Sequence, residues 1–151
     1  MNIGNSLILN HEFSARIIRE INRAEKEILV GVYQAKPYPE NPRALTQKIL
    51  IELLKAQDNG LTVKIITDFS DSAQMLRNMG FDVVSTVGDV RFHSKFYIFD
   101  ESSAIVGSHN LTESALKSNR EVSYFFTEPE NIDLLRAEFK EIWGRNGGSE
   151  F

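Results

Sequence analysis

Between Arg91 and Asn110 the chain reads RFHSKFYIFDESSAIVGSHN. Two short apolar runs, Phe96 to Phe99 and Ala104 to Gly107, stand on either side of Asp100-Glu101-Ser102-Ser103. The first run is aromatic and branched, the composition of a buried strand. The four residues between the runs have turn chemistry. This order predicts a hairpin, and the hairpin constrains everything around it. It brings the end that carries His93 and Lys95 against the end that carries Ser108 and Asn110. Strand alternation puts His93 and Lys95 on one face and Ser94 on the other.

The residue types gathered there define a chemistry. Histidine acts as a nucleophile or as a general acid or base near neutral pH. Lys95 supplies fixed positive charge, and Ser108 and Asn110 supply neutral hydrogen-bond donors. Such a set suits an anionic tetrahedral centre, for which a phosphodiester is the obvious candidate. Asp100 is expected either to pair with Lys95 or to orient a histidine. A lone histidine at a polar hairpin end would be read as a satisfied structural residue. Several groups of the right kind converging on one end favour a site.

The residues His93, Lys95, Asp100, Gly107, Ser108 and Asn110 resemble the signature of the phospholipase D superfamily, H-x-K-x4-D-x6-G-S-x-N, at every spacing. The resemblance implies an α/β fold with a mixed β-sheet flanked by helices on both faces. It also implies a phosphohistidine mechanism that uses neither metal nor cofactor. In that mechanism His93 attacks phosphorus, Lys95 and Asn110 hold the phosphate oxygens, and Ser108 assists. Members of the family also carry an acidic residue downstream that hydrogen-bonds the nucleophilic histidine. In SNREVSYFF the matching residue is Glu121. A metal site built from His93, Asp100, His109 and Glu121 is the competing arrangement. The lysine inside the motif argues against it, because its charge already does the work of a cation.

With 151 residues, 42% of them hydrophobic, the chain is one domain with enough apolar material for a core. Residues 1–146 are expected to form that domain. Gly147 to Phe151 differ in composition and read as an appended tail of cloning origin, so that the natural chain is expected to continue. No apolar run is long enough to span a bilayer. Cysteine is absent, and the cytoplasm is the default compartment. The 17 basic residues stand against 21 acidic ones, a net charge of -4. That argues against a tight, non-specific DNA coat protein while leaving room for a local basic groove.

Read in order, the chain alternates strands and helices. Ser6 to Leu9 is an edge strand, Glu12 to Ala24 a helix, and Glu27 to Gln34 a buried strand. Residues 36–43 carry three of the four prolines and form a loop. Lys36 and Arg43 there are candidates to contact phosphates. Ala44 to Gln57 is an amphipathic helix ended by Asn59-Gly60. Leu61 to Phe69 is a strand, Asp71 to Met79 a short helix and Phe81 to Ser85 another strand. After the hairpin come a helical turn from Leu111 to Lys117, a strand from Glu121 to Thr127 and a final helix from Pro129 to Trp143. The alternation argues for α/β layers with partly parallel strands.

The implied reaction needs a second histidine to protonate the leaving oxygen and later activate water. His11 lies at a helix start and reads as a surface cap. His109 fills the variable position of G-S-x-N, faces away from its neighbours and reads as scaffold. The second histidine is therefore expected from another copy of the chain, in a homodimer with one shared cleft. Arg91, Lys117 and Arg120, close to the signature, would give that cleft a positive rim. The function so implied is that of an endonuclease acting on DNA, or on RNA. The domain can equally be the nuclease part of a larger restriction or helicase-linked protein, with recognition in another domain or subunit. The alternatives are a phospholipid phosphodiesterase and a non-catalytic nucleic-acid-binding module. Lipid-directed members usually carry two signatures and apolar surface for a bilayer, and no membrane partner is expected here.

Overall fold

The computed structural model of the protein describes residues 4–86, 88 and 90–151. In chain order the elements are β1 (Ser6–Leu9), α1 (Glu12–Arg23), β2 (Glu27–Val32), α2 (Leu45–Asp58), β3 (Thr62–Thr67), α3 (Ser70–Asn78), β4 (Asp82–Ser85), β5 (Lys95–Phe99), β6 (Ser103–Gly107), a π-helical turn (Ser114–Ser118), β7 (Val122–Phe126) and α4 (Pro129–Arg145). The seven strands form one sheet in the order β1-β7-β6-β5-β2-β3-β4. β2, β3 and β4 run parallel, because α2 and α3 provide the crossovers that parallel neighbours require. β5, β6, β7 and β1 are paired antiparallel, and β5 lies antiparallel against β2. The sheet is mixed, as expected.

Helices cover both of its faces. Phe13, Ile17 and Ile21 of α1 and Ile49, Leu50 and Leu53 of α2 pack on one face against Ile28, Val30, Tyr97 and Ile105. On the other face Ile132, Phe139 and Trp143 of α4 pack against Leu29, Phe96 and Ile98. Leu29 falls between Ile28 and Val30, and Tyr97 between Phe96 and Ile98. The period-two alternation of each central strand thus feeds both cores. Because both faces are covered, the polar chemistry is left to the ends of the strands.

Boundaries moved where side chains took over backbone partners. β2 stops at Val32 rather than Gln34, since the Gln34 N–H donates to the Asn110 side chain at 3.0 Å instead of to a strand. The turn expected over 111–117 is the π-helical turn at Ser114–Ser118. His11 occupies the N-cap position of α1 but makes no side-chain cap hydrogen bond, so the capping role expected of it is not realised. Residues 147–151 are packed on the domain. Trp143 Nε1–H donates to the Ser149 carbonyl at 2.8 Å, and the Phe151 ring lies edge-on to Phe139. Among the described residues no helix is long and apolar enough to cross a membrane.

Candidate active site

The signature residues other than Asp100 meet at one end of the sheet. Lys95 opens β5 opposite Val32, while Phe96 pairs with Val106 of β6. Gly107 and Ser108 therefore follow beside His93 and Lys95. The chain then runs through His109 and Asn110 to Leu111, which bridges Ala35. The loop leaving β2 and the loop leaving β6 are thereby stitched together next to the histidine.

His93 is exposed, and its ring leans on Tyr33 with centroids 4.6 Å apart. Lys95 Nζ lies 3.0 Å from His93 Nδ1 and 3.5 Å from Nε2, and it donates to the His93 carbonyl at 2.7 Å. An ammonium has only donors, so the ring nitrogen facing it is an acceptor with its lone pair toward the cation. Burial lowers the Lys95 pKa, and the Glu121 carboxylate works against that by favouring the charged form. Asn110 uses its Oδ1 to accept the Gln34 N–H, and its Nδ2 donors have no partner among the described residues. The cluster thus holds an amide NH2 group, a cation and an imidazole lone pair near one another.

Ser108 and Glu121 sit beside this group with other partners. The Ser108 hydroxyl donates to the Val122 carbonyl and accepts the Val122 N–H at 2.9 Å, clipping the loop to β7. Its proton is committed to the scaffold. The Glu121 carboxylate accepts from Asn119 Nδ2 at 3.0 Å, and among the described residues no hydrogen bond joins it to His93. Its influence on the site is the field it exerts on Lys95. Replacing Glu121 by glutamine removes that field, so the Lys95 pKa falls further. The alkaline limb of the pH–rate profile should then move to lower pH, with the acid limb unmoved. A Gln variant whose alkaline limb stays in place would show that the carboxylate does not act through Lys95.

Asp100 is the residue the sequence reading misplaced. It lies beyond the far end of β5, five residues from Lys95, or about 16 Å along an extended strand. Pairing with Lys95 or a site histidine is out of reach. Its carboxylate instead accepts the backbone N–H groups of Glu25, Lys26 and Glu27 at 2.7 to 2.9 Å, anchoring the entry of β2. Asp100 and Glu101 both have positive φ, 55° and 58°, as a tight hairpin turn requires, and aspartate tolerates that conformation better than most residues. Asp100→Ala should therefore lower stability by about 2–4 kcal/mol, read from the urea midpoint. The kcat of the folded fraction should stay near wild type. A fully folded but inactive variant would return Asp100 to the chemistry.

His109 is fully buried. Its Nδ1 meets Ser123 Oγ at 2.7 Å, its Nε2 meets the Asn10 carbonyl at 2.8 Å, and its ring stacks on Phe13 with centroids 4.3 Å apart. Burial holds its pKa down, against the Asn10 hydrogen bond and Glu121. It is a structural post under the motif loop. With His109 engaged and Asp100 at the opposite pole, the four candidates for a metal site do not come together.

The five basic candidates lie in the connections at the site's end of the sheet, Lys117 within the π-helical turn. Lys36 follows the Ala35 bridge, with its N–H on the Leu111 carbonyl. Arg43 is exposed and precedes α2. Lys117 approaches Glu113 at 3.9 Å, and Glu113 caps the first turn of α2 through Leu45 and Thr46. Arg120 is exposed beside Glu121. Arg91 is already engaged: it donates to the Tyr33 hydroxyl at 2.6 Å and faces Asp68 at 3.7 Å. Tyr33 and Asp68 had no signal in the sequence, because they stand 60 and 25 residues from His93 and reach it only through strand pairing.

Comparison with known proteins agrees with this geometry. The family described as "Cardiolipin synthase, PLD-like domain" matches residues 17–143. The mitochondrial cardiolipin hydrolase of Mus musculus is 33% identical over 90 residues, covering 56% of this chain and 41% of that protein. The chain thus spans less than half the length of this relative. Among solved structures, Nuc from Salmonella typhimurium, a phospholipase D family member, superposes with a TM-score of 0.76 at 18% identity, covering 97% of this chain and 99% of Nuc. NucT from Helicobacter pylori gives a TM-score of 0.75 at 16% identity, covering 96% and 98%. These two establish the shared fold. With a family match over most of its length and five of the six signature residues gathered at one end of the sheet, the chain belongs to the phospholipase D superfamily.

Proposed function

We propose that the protein is a metal-independent phosphodiesterase that cleaves nucleic acid, DNA in first place, through a covalent bond between His93 and phosphorus in a homodimeric site. The observation that carries this reading is the Lys95 ammonium set 3.0 Å from a ring nitrogen of His93. A phosphate entering between them takes over the Lys95 hydrogen bonds and leaves the imidazole lone pair facing phosphorus. Lys95 and the Asn110 amide then hold the non-bridging oxygens as charge builds on them. The N–P bond forms as the P–O bond to the leaving group breaks, and the leaving oxygen takes a proton. Water, losing a proton to the same acid–base group, then cleaves the N–P bond and restores His93.

That acid–base group must be a second exposed histidine. Of the chain's three histidines, His93 is itself the nucleophile, His109 is buried with both nitrogens engaged, and the exposed His11, at the start of α1, has no hydrogen bond or ring contact with the cluster among the described residues, so a second copy of the chain is the proposed source. An apolar strip next to the site supports this. Leu7, Leu9, Val122 and Tyr124 remain exposed on the α4 side of the sheet, and Val122 donates its N–H to the Ser108 hydroxyl and accepts the Ser108 N–H. Such a strip is the kind of surface that association covers.

Nucleic acid is favoured by the placement of Lys36, Arg43, Lys117 and Arg120 around the site of an otherwise acidic chain. The relative described as a cardiolipin hydrolase favours a second reading, in which a phospholipid is cleaved by the same groups. Because this chain covers only part of that relative, recognition by a further domain or subunit fits either reading. The deciding experiment is cleavage of single- and double-stranded DNA, of RNA and of cardiolipin vesicles, each in EDTA. Cleavage of nucleic acid in EDTA supports the proposal, and cleavage of the vesicles alone supports the lipid reading. Loss of all activity in EDTA, restored by added metal, overturns the mechanism. A folded protein that binds nucleic acid but cleaves nothing is a binding module.

A further inference from the structure

Asp68 sits where strand alternation has no use for it, just past the end of β3, yet its side chain is only 14% exposed. Its Oδ1 accepts the Phe92 N–H at 3.0 Å and the Thr86 hydroxyl at 2.6 Å. Its Oδ2 faces Arg91 Nε at 3.7 Å. Arg91 in turn donates to the Tyr33 hydroxyl at 2.6 Å. The Tyr33 ring lies on His93 at 4.6 Å and is itself backed edge-on by Phe69 at 4.9 Å. The Tyr33 N–H reaches the Ser94 carbonyl at 3.0 Å, and the Asp68 N–H returns to the Tyr33 carbonyl at 3.1 Å. These bonds close a circuit through the ends of β2, β3 and β4 and the segment that carries the histidine.

We propose that Asp68 and Tyr33 are positioning residues for the nucleophile: the carboxylate fixes the backbone before His93, and the aromatic ring, held by Arg91, sets the tilt of the imidazole. This rests on the reading of His93 as the nucleophile. The physical need is clear from the site. His93 is exposed and has no packed pocket of its own, while attack on phosphorus tolerates little error in distance and angle. Phe92 is pinned twice, with its ring in the α4-side core and its N–H on Asp68. The His93 carbonyl is held by Lys95 and the Ser94 carbonyl by Tyr33. The imidazole itself then has two neighbours to stop it turning, the Lys95 amine on one side and the Tyr33 ring on the other. The same ring lies 5.4 Å from Lys95 Nζ, so one aromatic surface aligns nucleophile and cation together.

The test uses bis(p-nitrophenyl) phosphate, a small phosphodiester that reports the chemistry without recruiting the basic rim. Tyr33→Leu removes the ring and Asp68→Ala the backbone anchor. Each is expected to lower kcat roughly ten- to a hundredfold with KM little changed. Asp68→Asn keeps an acceptor for the Phe92 N–H and should recover most of the kcat. The Tyr33→Leu/Asp68→Ala double variant should be no slower than the slower single variant, because both act on one imidazole. Where Asp68→Ala does not fold, Tyr33→Leu and Asp68→Asn carry the test. Folded variants with wild-type kcat overturn the proposal. A raised KM with unchanged kcat also overturns it, since that would make the circuit part of substrate binding. A wild-type protein with no His93-dependent turnover removes the functional reading itself, and this inference with it.

Discussion

Replacing His93 by alanine is expected to lower phosphodiester cleavage by on the order of a thousandfold or more, the usual cost of losing a nucleophile. The fold should be unaffected, because the side chain is exposed and among the described residues its ring partners are the site's own Tyr33 and Lys95. The variant also tests the shared site. If each turnover needs one His93 to attack and another to supply and take back the proton, a mixed dimer with one alanine is nearly inactive. Subunits exchanged or refolded together should then lose activity as the square of the wild-type fraction. Two independent sites would lose it linearly. A linear fall, or full activity in a verified monomer, would sink the homodimeric mechanism while leaving His93 as nucleophile.

The second large effect is expected at Gly107, and it is one of stability. A Cβ there would overlap the Cα and Oγ of Ser123 and the carbonyl oxygen of Val122. Two of those atoms are backbone of β7, paired directly with β6, so no flexible side chain can absorb the clash. Moving Ser123 also disturbs its contact with His109 Nδ1. Gly107→Ala should cost about 3 kcal/mol, at the upper end of ordinary overpacking. For a domain of this size that corresponds to a fall in Tm of roughly 6–12 °C. Activity should fall with it, because Ser108 and Asn110 hang from the same strand end. A stable, active alanine variant would mean that β6 and β7 separate at low cost. The glycine of the signature is explained here by close approach of two strands, with no appeal to catalysis.

The two residues illustrate how differently the signature's members earn their places. In the proposed mechanism His93, Lys95 and Asn110 make the reactive group. Gly107 lets two strands meet, Ser108 clips the loop to β7, and Asp100 anchors β2 at the opposite end of the molecule. A spacing pattern records only that the six stand at fixed intervals. It does not record which need is chemical and which is architectural, since both kinds of residue sit at fixed positions along one hairpin.

What could be read from the chain alone was local. The turn composition after Phe99 predicted the hairpin, apolar periodicity predicted the helices, and alternation of elements predicted α/β layers with partly parallel strands. Each of these follows from backbone geometry over a few residues. Only the tertiary structure decided the rest. The pairing of β5 with β2 brought Tyr33 onto His93, and the parallel alignment of β2, β3 and β4 put Asp68 and Thr86 behind the segment that carries His93. The length of one strand carried Asp100 out of the site, and the packing of α1 buried His109 against Phe13. The physical reason is the same in each case. A strand's hydrogen bonds are satisfied by a neighbour that can come from anywhere in the chain. Which distant residues arrive at a strand end is therefore set by the order of strands in the sheet, which no local window contains.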